Sequence, residues 1–513
     1  MASLVTDQFR IFAAKQFINS LSVPIGVSDS VAGTQRQKLY IFIGRSKNWN
    51  FERYSSLNND NNPPIPEDSF NDLHEIYDDM IAIKRINASD VKLVIKRKTW
   101  APGIIYDMYK HNYSSTKLSS SGATKLYDCD FYVMNSQYQI FKCIYNGETP
   151  ENINGISTSS NGEPIATIGQ TSIITTPDGY RWKFMYQLSI DDVLKFLSND
   201  FIPLLSDSTV VSAAVNGALD TVLINNRGSN LTPGTYYAKV IGDGTNAIVR
   251  IVVNNTGSFN GKIFSASIET SGSNYTYAKV NLTETFSDIA CTISSNIGIS
   301  SNGTSYLEII IPPTGGHGYS SEIELGAYRV MINSKLEFLD GFGDIPIDME
   351  FRRFGIIANP TEYGNNTQST NSTKSACKAI KFNNSFSNNF TNGETIIQTT
   401  TNAQGVVIHW DSINKILRYY QNEYSGLYND KLISFSGNNT ITGQSSNTSG
   451  NPLTSYTSGS NGVPTSITGI VFTSGYALPE INKYVSPILY YENRKPIVRS
   501  NDQIEDIKLV IEF

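Results

Sequence analysis

The end of the chain has the alternating pattern of a β-strand. From residue 506 onward, apolar side chains fall on one face of an extended segment and polar ones fall on the other. The apolar set consists of Ile507, Leu509, Ile511 and Phe513. A terminal segment with so many large apolar side chains would fray in water. The pattern therefore predicts that this strand is held in its own sheet or against another chain.

A second segment, KLYIFIG at residues 38–44, is apolar on both faces. Tyr40 and Phe42 lie on one side of an extended chain, and Ile41 and Ile43 lie on the other. Strands that are buried on both faces have such continuous apolar runs. The segment is therefore predicted to be a strand of a central layer that is covered on both sides.

Helical spacing of apolar residues indicates about three short helices near the front of the chain. The first begins after Thr6, which is a suitable N-cap. The second, carrying apolar residues up to Met80, follows the loop 58–68, which is rich in Pro and Asn. The third begins at Ser189, where Asp192 completes a capping box, and ends before Pro203.

Most of the other ordered segments are predicted to be strands, because they are short, rich in β-branched and aromatic residues, and separated by polar turns. The clearest candidates are residues 91–100, 129–135, 139–146, 180–188, 324–333, 348–357, 405–410 and 415–420. A mainly β fold follows from this pattern.

The middle of the chain contains an internal repeat. The segment RGSNLTPGTYYAKV at residues 227–240 returns as SGSNYTYAKV at residues 271–280. Two copies are too few for a solenoid and indicate a small β-domain, in which GDGTNA at residues 242–247 forms a tight turn. Further on, residues 437–462 are polar and nearly uncharged, which predicts a long loop or finger.

Composition and charge narrow the classes of function. The net charge is −6 and the isoelectric point about 5.4, so the sequence lacks the basic footprint of a nucleic-acid-binding protein. The start of the chain has no signal-peptide pattern, and no window is apolar enough for a membrane span. Cys129, Cys143, Cys291 and Cys377 are widely spaced, and we expect buried thiols rather than disulfides or a zinc site.

Candidate catalytic groups find little support in the sequence. His317 lies in GGHG without a nucleophile elbow, and GFGD at residues 341–344 lacks the Lys of a phosphate loop, so both are expected to be turns. Glu322 and Glu324 could share one side of a strand as a glycosidase pair. The pairs 78–79 and 191–192 lie on predicted helices and are expected on solvated faces. No enzymatic activity, cofactor or metal is predicted.

Aromatic residues near loops are candidates for contact surfaces, where Tyr, Trp and Arg supply much of the binding energy. Trp49, Tyr54 and Tyr109 are the interface candidates of this kind. Trp182 and Phe184 share one face of a predicted strand and are expected to fill a sheet core.

Three segments in order give the chain a resemblance to a known family. The first is YIFIGRSKNWN at residues 40–50, followed by NPPIPEDS; the second is DGYRWKFMYQLSIDDV at residues 178–193. The third is the end of the chain, with YENRKPI at residues 491–497, then Asp502, Gln503, Glu505 and the final strand. The chain resembles gene product eight, a wedge subunit of the baseplate of T-even-type contractile-tailed phages.

The resemblance implies a three-layer β-sandwich with finger loops, present as a homodimer in each wedge and in contact with other wedge proteins. It covers residues 1–205 and 475–513, which would form one discontinuous domain. Residues 206–360 would be an inserted β module, and residues 361–474 an Asn-, Ser- and Thr-rich region with a finger loop.

The expected function is that of a structural subunit, located in the virion baseplate after assembly in the host cytoplasm, without nucleic-acid or membrane partners. Arg45 and Arg494 are candidates for ordering a turn or an inter-chain contact through carboxylates, and solvated charge is the alternative. A receptor-binding tail adhesin and, after it, a glycan hydrolase are the alternative functions.

Overall fold

Strands predominate in the protein. The computed structural model describes residues 5–21, 37–51, 58–229, 231–280, 282, 307–337, 344–383, 386–429, 431–454, 472, 475–500 and 502–513. Strand residues far outnumber helical ones in these ranges, and the sheets are antiparallel. The predicted mainly β class is confirmed.

The helices are short and most begin at a polar cap. They are α1 (Asp7–Ser20), α2 (Phe70–Asp79), α3 (Ile190–Phe196), α4 (Ser208–Ala213) and α5 (Ser321–Glu324). The Ser69 and Ser189 side chains accept hydrogen bonds from the third backbone N–H of α2 and α3, as a capping residue should. The three helices predicted near the front are confirmed, although Met80 begins a strand instead of ending α2. The short helices α4 and α5 were not predicted.

The strands of the first part of the chain include all the front candidates. They are β1 (Leu39–Gly44), β2 (Met80–Arg85), β3 (Val91–Lys96), β4 (Tyr132–Met134), β5 (Gln139–Tyr145), β6 (Ile174–Thr175), β7 (Arg181–Gln187), β8 (Phe201–Pro203), β9 (Thr221–Ile224), β10 (Gly234–Gly242), β11 (Ile248–Val253), β12 (Ile263–Thr270), β13 (Ala278–Val280) and β14 (Leu307–Ile310).

The later strands include two long ones, β16 and β27, that lie side by side. The set is β15 (Arg329–Leu336), β16 (Met349–Ala358), β17 (Thr373–Ser375), β18 (Lys378–Lys381), β19 (Thr395–Gln398), β20 (Ala403–Asp411), β21 (Ile416–Tyr420), β22 (Leu427–Tyr428), β23 (Lys431–Leu432), β24 (Ile441–Gly443), β25 (Ser449–Gly450), β26 (Tyr476–Ala477), β27 (Ile488–Arg499) and β28 (Glu505–Glu512).

The chain divides into two compact units, each built from separate stretches of sequence. Unit 1 comprises Met1–Lys15, Lys92–Met331 and Ile511–Phe513, and unit 2 comprises Gln16–Val91 and Ile332–Val510. The strands β15 and β28 each contain residues of both units. The domain boundaries expected from the sequence stay a prediction.

Unit 1 contains two four-stranded sheets, with strand orders β4-β5-β7-β6 and β12-β11-β10-β13. The second sheet and the pair β14-β9 form the module β9–β14, whose core is aliphatic apart from two tyrosines. The predicted turn GDGTNA connects β10 to β11, which pair from Lys239 opposite Ile248. The two copies of the repeat also pair with each other, because Val240 lies opposite Val280. The two copies of the repeat therefore lie in one sheet, and the small β-domain expected around them stays a prediction.

The last residues of the chain are held in unit 1. The Phe513 N–H donates to the Tyr328 carbonyl at 3.1 Å, and Arg10 Nε donates to the Phe513 carbonyl. The Glu512 carboxylate accepts from Arg10 at 2.6 Å and from Arg329 at 2.7 Å. The prediction that the final strand is tied down is confirmed, and the chain supplies these contacts itself.

Unit 2 contains a five-stranded sheet in the order β17-β2-β1-β16-β27. All residues of β1 are buried, and Tyr40 and Phe42 pack in a core with Ile76 of α2. The central strand predicted from KLYIFIG is therefore confirmed. The edge strand β27 brings residues 488–499 into the same sheet as residues 39–44.

The second large sheet of unit 2 has seven strands, ordered β25-β24-β19-β20-β21-β18-β26. Its strands β24 and β25 lie within residues 437–462 and pair with each other, so a long loop is wrong for part of the segment, and the alternative of a finger stays a prediction. The pattern hid these strands because only Ile441 supplies a buried aliphatic side chain, while the strand is held by backbone pairing of Ile397 with Thr442. Residues 455–462 lie outside the described residues.

Candidate functional site

The most unusual feature of unit 2 is a group of buried arginines. Arg45, Arg352 and Arg353 expose 0%, 2% and 0% of their surface. Burying an unpaired guanidinium is very unfavourable, so each must meet carboxylates and hydrogen-bond acceptors. We call these residues, together with Glu75, Asp79, Asp60 and Trp49, the arginine cluster.

Each guanidinium of the cluster has a carboxylate partner. Arg353 donates to both oxygens of Asp79 at 3.1 and 3.2 Å. Arg352 forms a two-point contact with Asp60, with both distances 2.9 Å. Arg45 donates to Glu75 Oε1 at 2.6 Å. Such charge-assisted, partly bidentate bonds are the strongest side-chain hydrogen bonds and fix the geometry of both partners.

Helix α2 supplies two of the carboxylates. Glu75 and Asp79 are four residues apart, so they lie on one face of the helix. The sequence predicted Asp78 and Asp79 on a solvated face, and this is wrong, because they expose only 5% and 1%. The physical reason is that buried Arg353 neutralises Asp79. Asp78 instead accepts a hydrogen bond from the Tyr484 hydroxyl and lies beside His74.

Trp49 joins the cluster to β27. The guanidinium carbons of Arg45 and Arg353 lie 4.8 Å and 5.3 Å from the centroid of the Trp49 ring. The indole Nε1 donates to the Arg494 carbonyl at 2.8 Å. The Trp49 side chain is fully buried. Three of the residues predicted from sequence, Arg45, Trp49 and Arg494, are therefore brought together.

The turn after β1 has an uncommon backbone conformation at Arg45. Its φ is +58°, a left-handed region that L-residues other than Asn and Asp rarely adopt. The Arg45 N–H donates to the Asp79 carbonyl at 3.1 Å, and its Nη2 donates to the Asn48 carbonyl at 2.9 Å. These bonds connect the turn to α2 and to the residue before Trp49, and the predicted role of Arg45 in ordering the turn stays a prediction.

The electrostatics of the cluster favour ionised carboxylates where arginine is close. Burial by itself raises the pKa of Asp60, yet the hydrogen bonds and charge of Arg352 outweigh it and leave the pKa below its usual value. In contrast, the Arg494 side chain is 54% exposed and pairs with Glu492 at 2.6 Å. Arg494 thus presents a surface charge beside the buried cluster, and its predicted role at an interface stays a prediction.

Tyr109 lies in a buried group of unit 1. It exposes 5% of its surface, and its ring centroid is 5.0 Å from that of His317 in an edge-to-face contact. Lys142 Nζ lies 5.0 Å from the centre of the Tyr109 ring and forms an ion pair with Glu324. Burial and the nearby cations Lys142, Lys183 and Arg181 lower the pKa of His317 far below its usual value, so the imidazole is neutral.

The strand predicted for Glu322 and Glu324 is wrong, because both lie on α5. The short helix forms where Ser320 caps its first turn and Gly318 adopts a φ of +96°. Glu324 accepts from the N–H groups of Gly318 at 2.8 Å and Ser320 at 3.1 Å, in addition to its ion pair with Lys142. Its carboxylate is thus occupied by internal donors. The predicted turn at His317 is confirmed.

The other sequence candidates are placed as follows. Tyr54 and Cys291 lie outside the described residues. Cys129, Cys143 and Cys377 are buried free thiols, as predicted. Trp182 and Phe184 are fully buried, which confirms the sheet core predicted for them. Of the predicted turn GFGD, only Asp344 is described.

Metal binding and membrane crossing can be assessed for the described ranges. No group of three or more His, Cys, Asp and Glu side chains there could hold a metal ion. Among the helices described, none combines the length and apolar character that crossing a membrane requires.

Sequence reasoning missed Arg352, Arg353, Glu75 and Asp60. The signal was present in the MEFRRFGIIA segment of β16, where two adjacent arginines stand in an otherwise apolar run. Adjacent strand residues face opposite sides, so in a strand covered on both sides both arginines must be buried. Their partners come from segments about 270 to 290 residues away, which no local pattern identifies.

The folds of the two units and their ionic clusters define a mainly β protein whose buried charged side chains largely satisfy one another. The model of the family described as Bacteriophage T4, Gp8 matches residues 3–163 of the chain. This match supports, over these residues, the resemblance seen in the sequence, and it points to a structural subunit of the baseplate wedge. No curated protein matches the chain.

Proposed function

We propose that the chain is a structural subunit of a phage tail baseplate wedge. In this role it joins neighbouring wedge proteins, takes part in baseplate assembly, and takes part in the rearrangement that triggers sheath contraction. The observation that supports the proposal most directly is the family match over residues 3–163. We further propose that it forms a homodimer in the virion, assembles in the host cytoplasm, and acts without catalysis, nucleic acid or membrane.

The arginine cluster supports a geometric role. A subunit that sets the position of its neighbours needs surface residues at defined places, and strong internal bonds provide this. The Trp49 hydrogen bond to the Arg494 carbonyl fixes the backbone from which the exposed Arg494 side chain extends. Arg494 is therefore our candidate for a contact with a carboxylate of another chain, in competition with Glu492.

A co-assembly experiment tests the proposal. The chain is co-expressed with the other tail proteins of its own phage, and complexes are separated by sedimentation. We expect it to sediment with them, and Arg494→Ala to weaken this association about 5- to 30-fold, as loss of a central interface arginine does. Lys239→Ala, which removes an exposed cation of β10, is the matched control and should sediment like the wild type.

Absence of the chain from every such complex would contradict the proposed function. If the Arg494→Ala variant sedimented with the tail proteins as completely as the wild type, only the proposed role of Arg494 would be refuted. A trimer in light scattering, with binding to host cells, would favour the adhesin alternative. Release of reducing sugar that is lost on Glu322→Gln would favour the hydrolase.

A further inference from the structure

A small cavity on unit 2 combines carboxylates with exposed aromatic rings. Its volume is about 370 Å³, and it lies along one side of α2, from Phe70 to Asp78. Three carboxylates, three aromatic rings and two amides line it: Glu75, Asp78, Glu423, Phe70, His74, Tyr424, Asn71 and Asn422. No Lys or Arg is among these described lining residues. We call it the acidic aromatic cavity.

The cavity has large aromatic side chains that are exposed to solvent. Phe70 is 81% exposed and Tyr424 is 47% exposed, although both are large and apolar. Tyr428 of the neighbouring hairpin β22–β23 is 71% exposed. Exposed aromatic residues clustered at one place are typical of surfaces that bind another molecule.

The carboxylates at the cavity differ in how well they are neutralised. Glu75 is neutralised by an ion pair with Arg45 of the arginine cluster. Asp78 is 5% exposed and is contacted by the Tyr484 hydroxyl and, at 3.4 Å, by His74. The nearby cation Lys483 donates to the Asp78 backbone carbonyl at 2.9 Å.

Glu423 adds a second negative charge close to Asp78. Burial raises the pKa of Asp78, while the Tyr484 hydrogen bond and the charges of Lys483 and His74 oppose this rise. The charge of Glu423 adds a smaller increase. A cation that entered the cavity would be favoured by both carboxylates and would be stacked against aromatic faces. Guanidinium suits this combination, because it bonds carboxylates in its plane and stacks on rings with its faces.

We infer that the acidic aromatic cavity binds an arginine side chain of a partner protein, with the guanidinium against Phe70 and Tyr424 and its N–H groups directed at Asp78 and Glu423. The inference deepens the proposed function, on which it rests for the expectation that the partner is a protein. Arginine and tyrosine are the residues on which such interfaces depend most.

Saturation-transfer NMR on the full chain tests the assignment with defined probes. The probes are capped Gly-Arg-Gly, the same peptide with citrulline, and capped Gly-Lys-Gly. Citrulline keeps the shape of arginine but has no charge. We expect saturation transfer to the arginine side chain to be at least about threefold stronger than to citrulline or lysine, because charge and stacking act together.

Two variants localise the signal. Phe70→Ser and Glu423→Gln change exposed side chains, so both should fold, and each should reduce the transfer at least about threefold. Ile190→Ser is the matched control, since Ile190 is also the first residue of a Ser-capped helix and is 78% exposed. It should leave the transfer unchanged.

Equal transfer to the citrulline or lysine peptide would overturn the assignment, as would wild-type transfer in both cavity variants or equal loss in Ile190→Ser. These results are separable from the proposed function. If the chain co-sediments with tail proteins but shows no saturation transfer to the arginine peptide, only arginine binding at the cavity is refuted. A chain that binds the arginine peptide but joins no tail complex refutes only the baseplate role.

Discussion

The module β9–β14 and the arginine cluster are both buried, but they are held together by different interactions. The described core of the module holds aliphatic side chains and two tyrosines, and its strands follow one another along the chain. The arginine cluster holds three guanidinium groups paired with carboxylates from distant segments. The first kind of core depends on volume and tolerates similar side chains, whereas the second depends on each partner being present.

The difference predicts where the protein is most sensitive to substitution. Removing one partner of a buried ion pair leaves the other charge uncompensated in a medium of low polarity. Shortening an aliphatic side chain costs only the lost burial and a small cavity. Substitutions in the two regions should therefore differ in size and in their dependence on pH.

The largest effect is expected for Arg353→Met. Because Asp79 loses its buried partner, the free energy of unfolding should fall by about 3–5 kcal/mol. Chemical denaturation followed by tryptophan fluorescence measures it, and Arg494→Met, at an exposed position, is the control. Adding Asp79→Leu to Arg353→Met should restore part of the loss, since no unpaired carboxylate then remains at that position. A loss below about 1 kcal/mol for the single variant would refute the account of the cluster.

The second prediction concerns the pH dependence of the free energy of unfolding, to which Glu480 of unit 2 should contribute. Burial, then the charge of Asp344, raise the pKa of Glu480 to about 7. Between pH 4.5, the ordinary pKa of glutamate, and about pH 7, the Glu480 carboxyl is ionised in the unfolded chain but keeps its proton in the folded chain. Glu480 therefore lowers the free energy of unfolding as pH rises through this window, by up to about 1.4 kcal/mol per pH unit.

The comparison of wild type with Glu480→Gln isolates the titration of Glu480 and of its interacting neighbours Asp344 and Lys374, because groups that do not interact with Glu480 titrate alike in both proteins. The difference in unfolding free energy between the two should change from pH 5 to pH 7 in favour of the variant. Parallel curves across this range would contradict the raised pKa. Glu163→Gln, at a partly exposed position of unit 1, should show no such trend.

The smallest effect is expected in the module. Ile251 is fully buried in its aliphatic core, and Ile251→Val should lower the free energy of unfolding by about 0.5–1.5 kcal/mol. The cost should be independent of pH between 5 and 7. Denaturation curves at both pH values measure this, with Ile241→Val, at a half-exposed position, as control. If Ile251→Val lowered the free energy of unfolding as much as Arg353→Met does, the proposed difference in sensitivity between the two regions would be refuted.

The same contrast explains what the sequence could predict. The aliphatic strands and the turn GDGTNA are local patterns, so β10 and β11 were predicted from them. The apolar run of β1 predicted that this strand is buried on both faces. The partners of Arg352 and Arg353 come from α2 and the loop before it, and only the fold brings them together.

The candidate site was predictable in part for the same reason. Arg45, Trp49 and Arg494 were found through residue type and resemblance, but their mutual contacts required the structure. The buried state of Asp78 and Asp79 was mispredicted because the usual rule for charged helix pairs assumes water on that face. The acidic aromatic cavity combines α2 with residues 422–424, which lie far apart in the sequence.

The edge position of β27 has a consequence for solubility. An exposed strand edge is a template for uncontrolled pairing with other chains, and long edges promote aggregation. Here residues 494–496 bulge opposite Arg352, since Arg353 pairs with Asn493 and Phe351 with Ile497. Pro496 has no N–H to offer an incoming strand, and the charges of Arg494 and Lys495 add a desolvation cost. The middle of this edge thus discourages indiscriminate sheet extension while the protein is still unassembled.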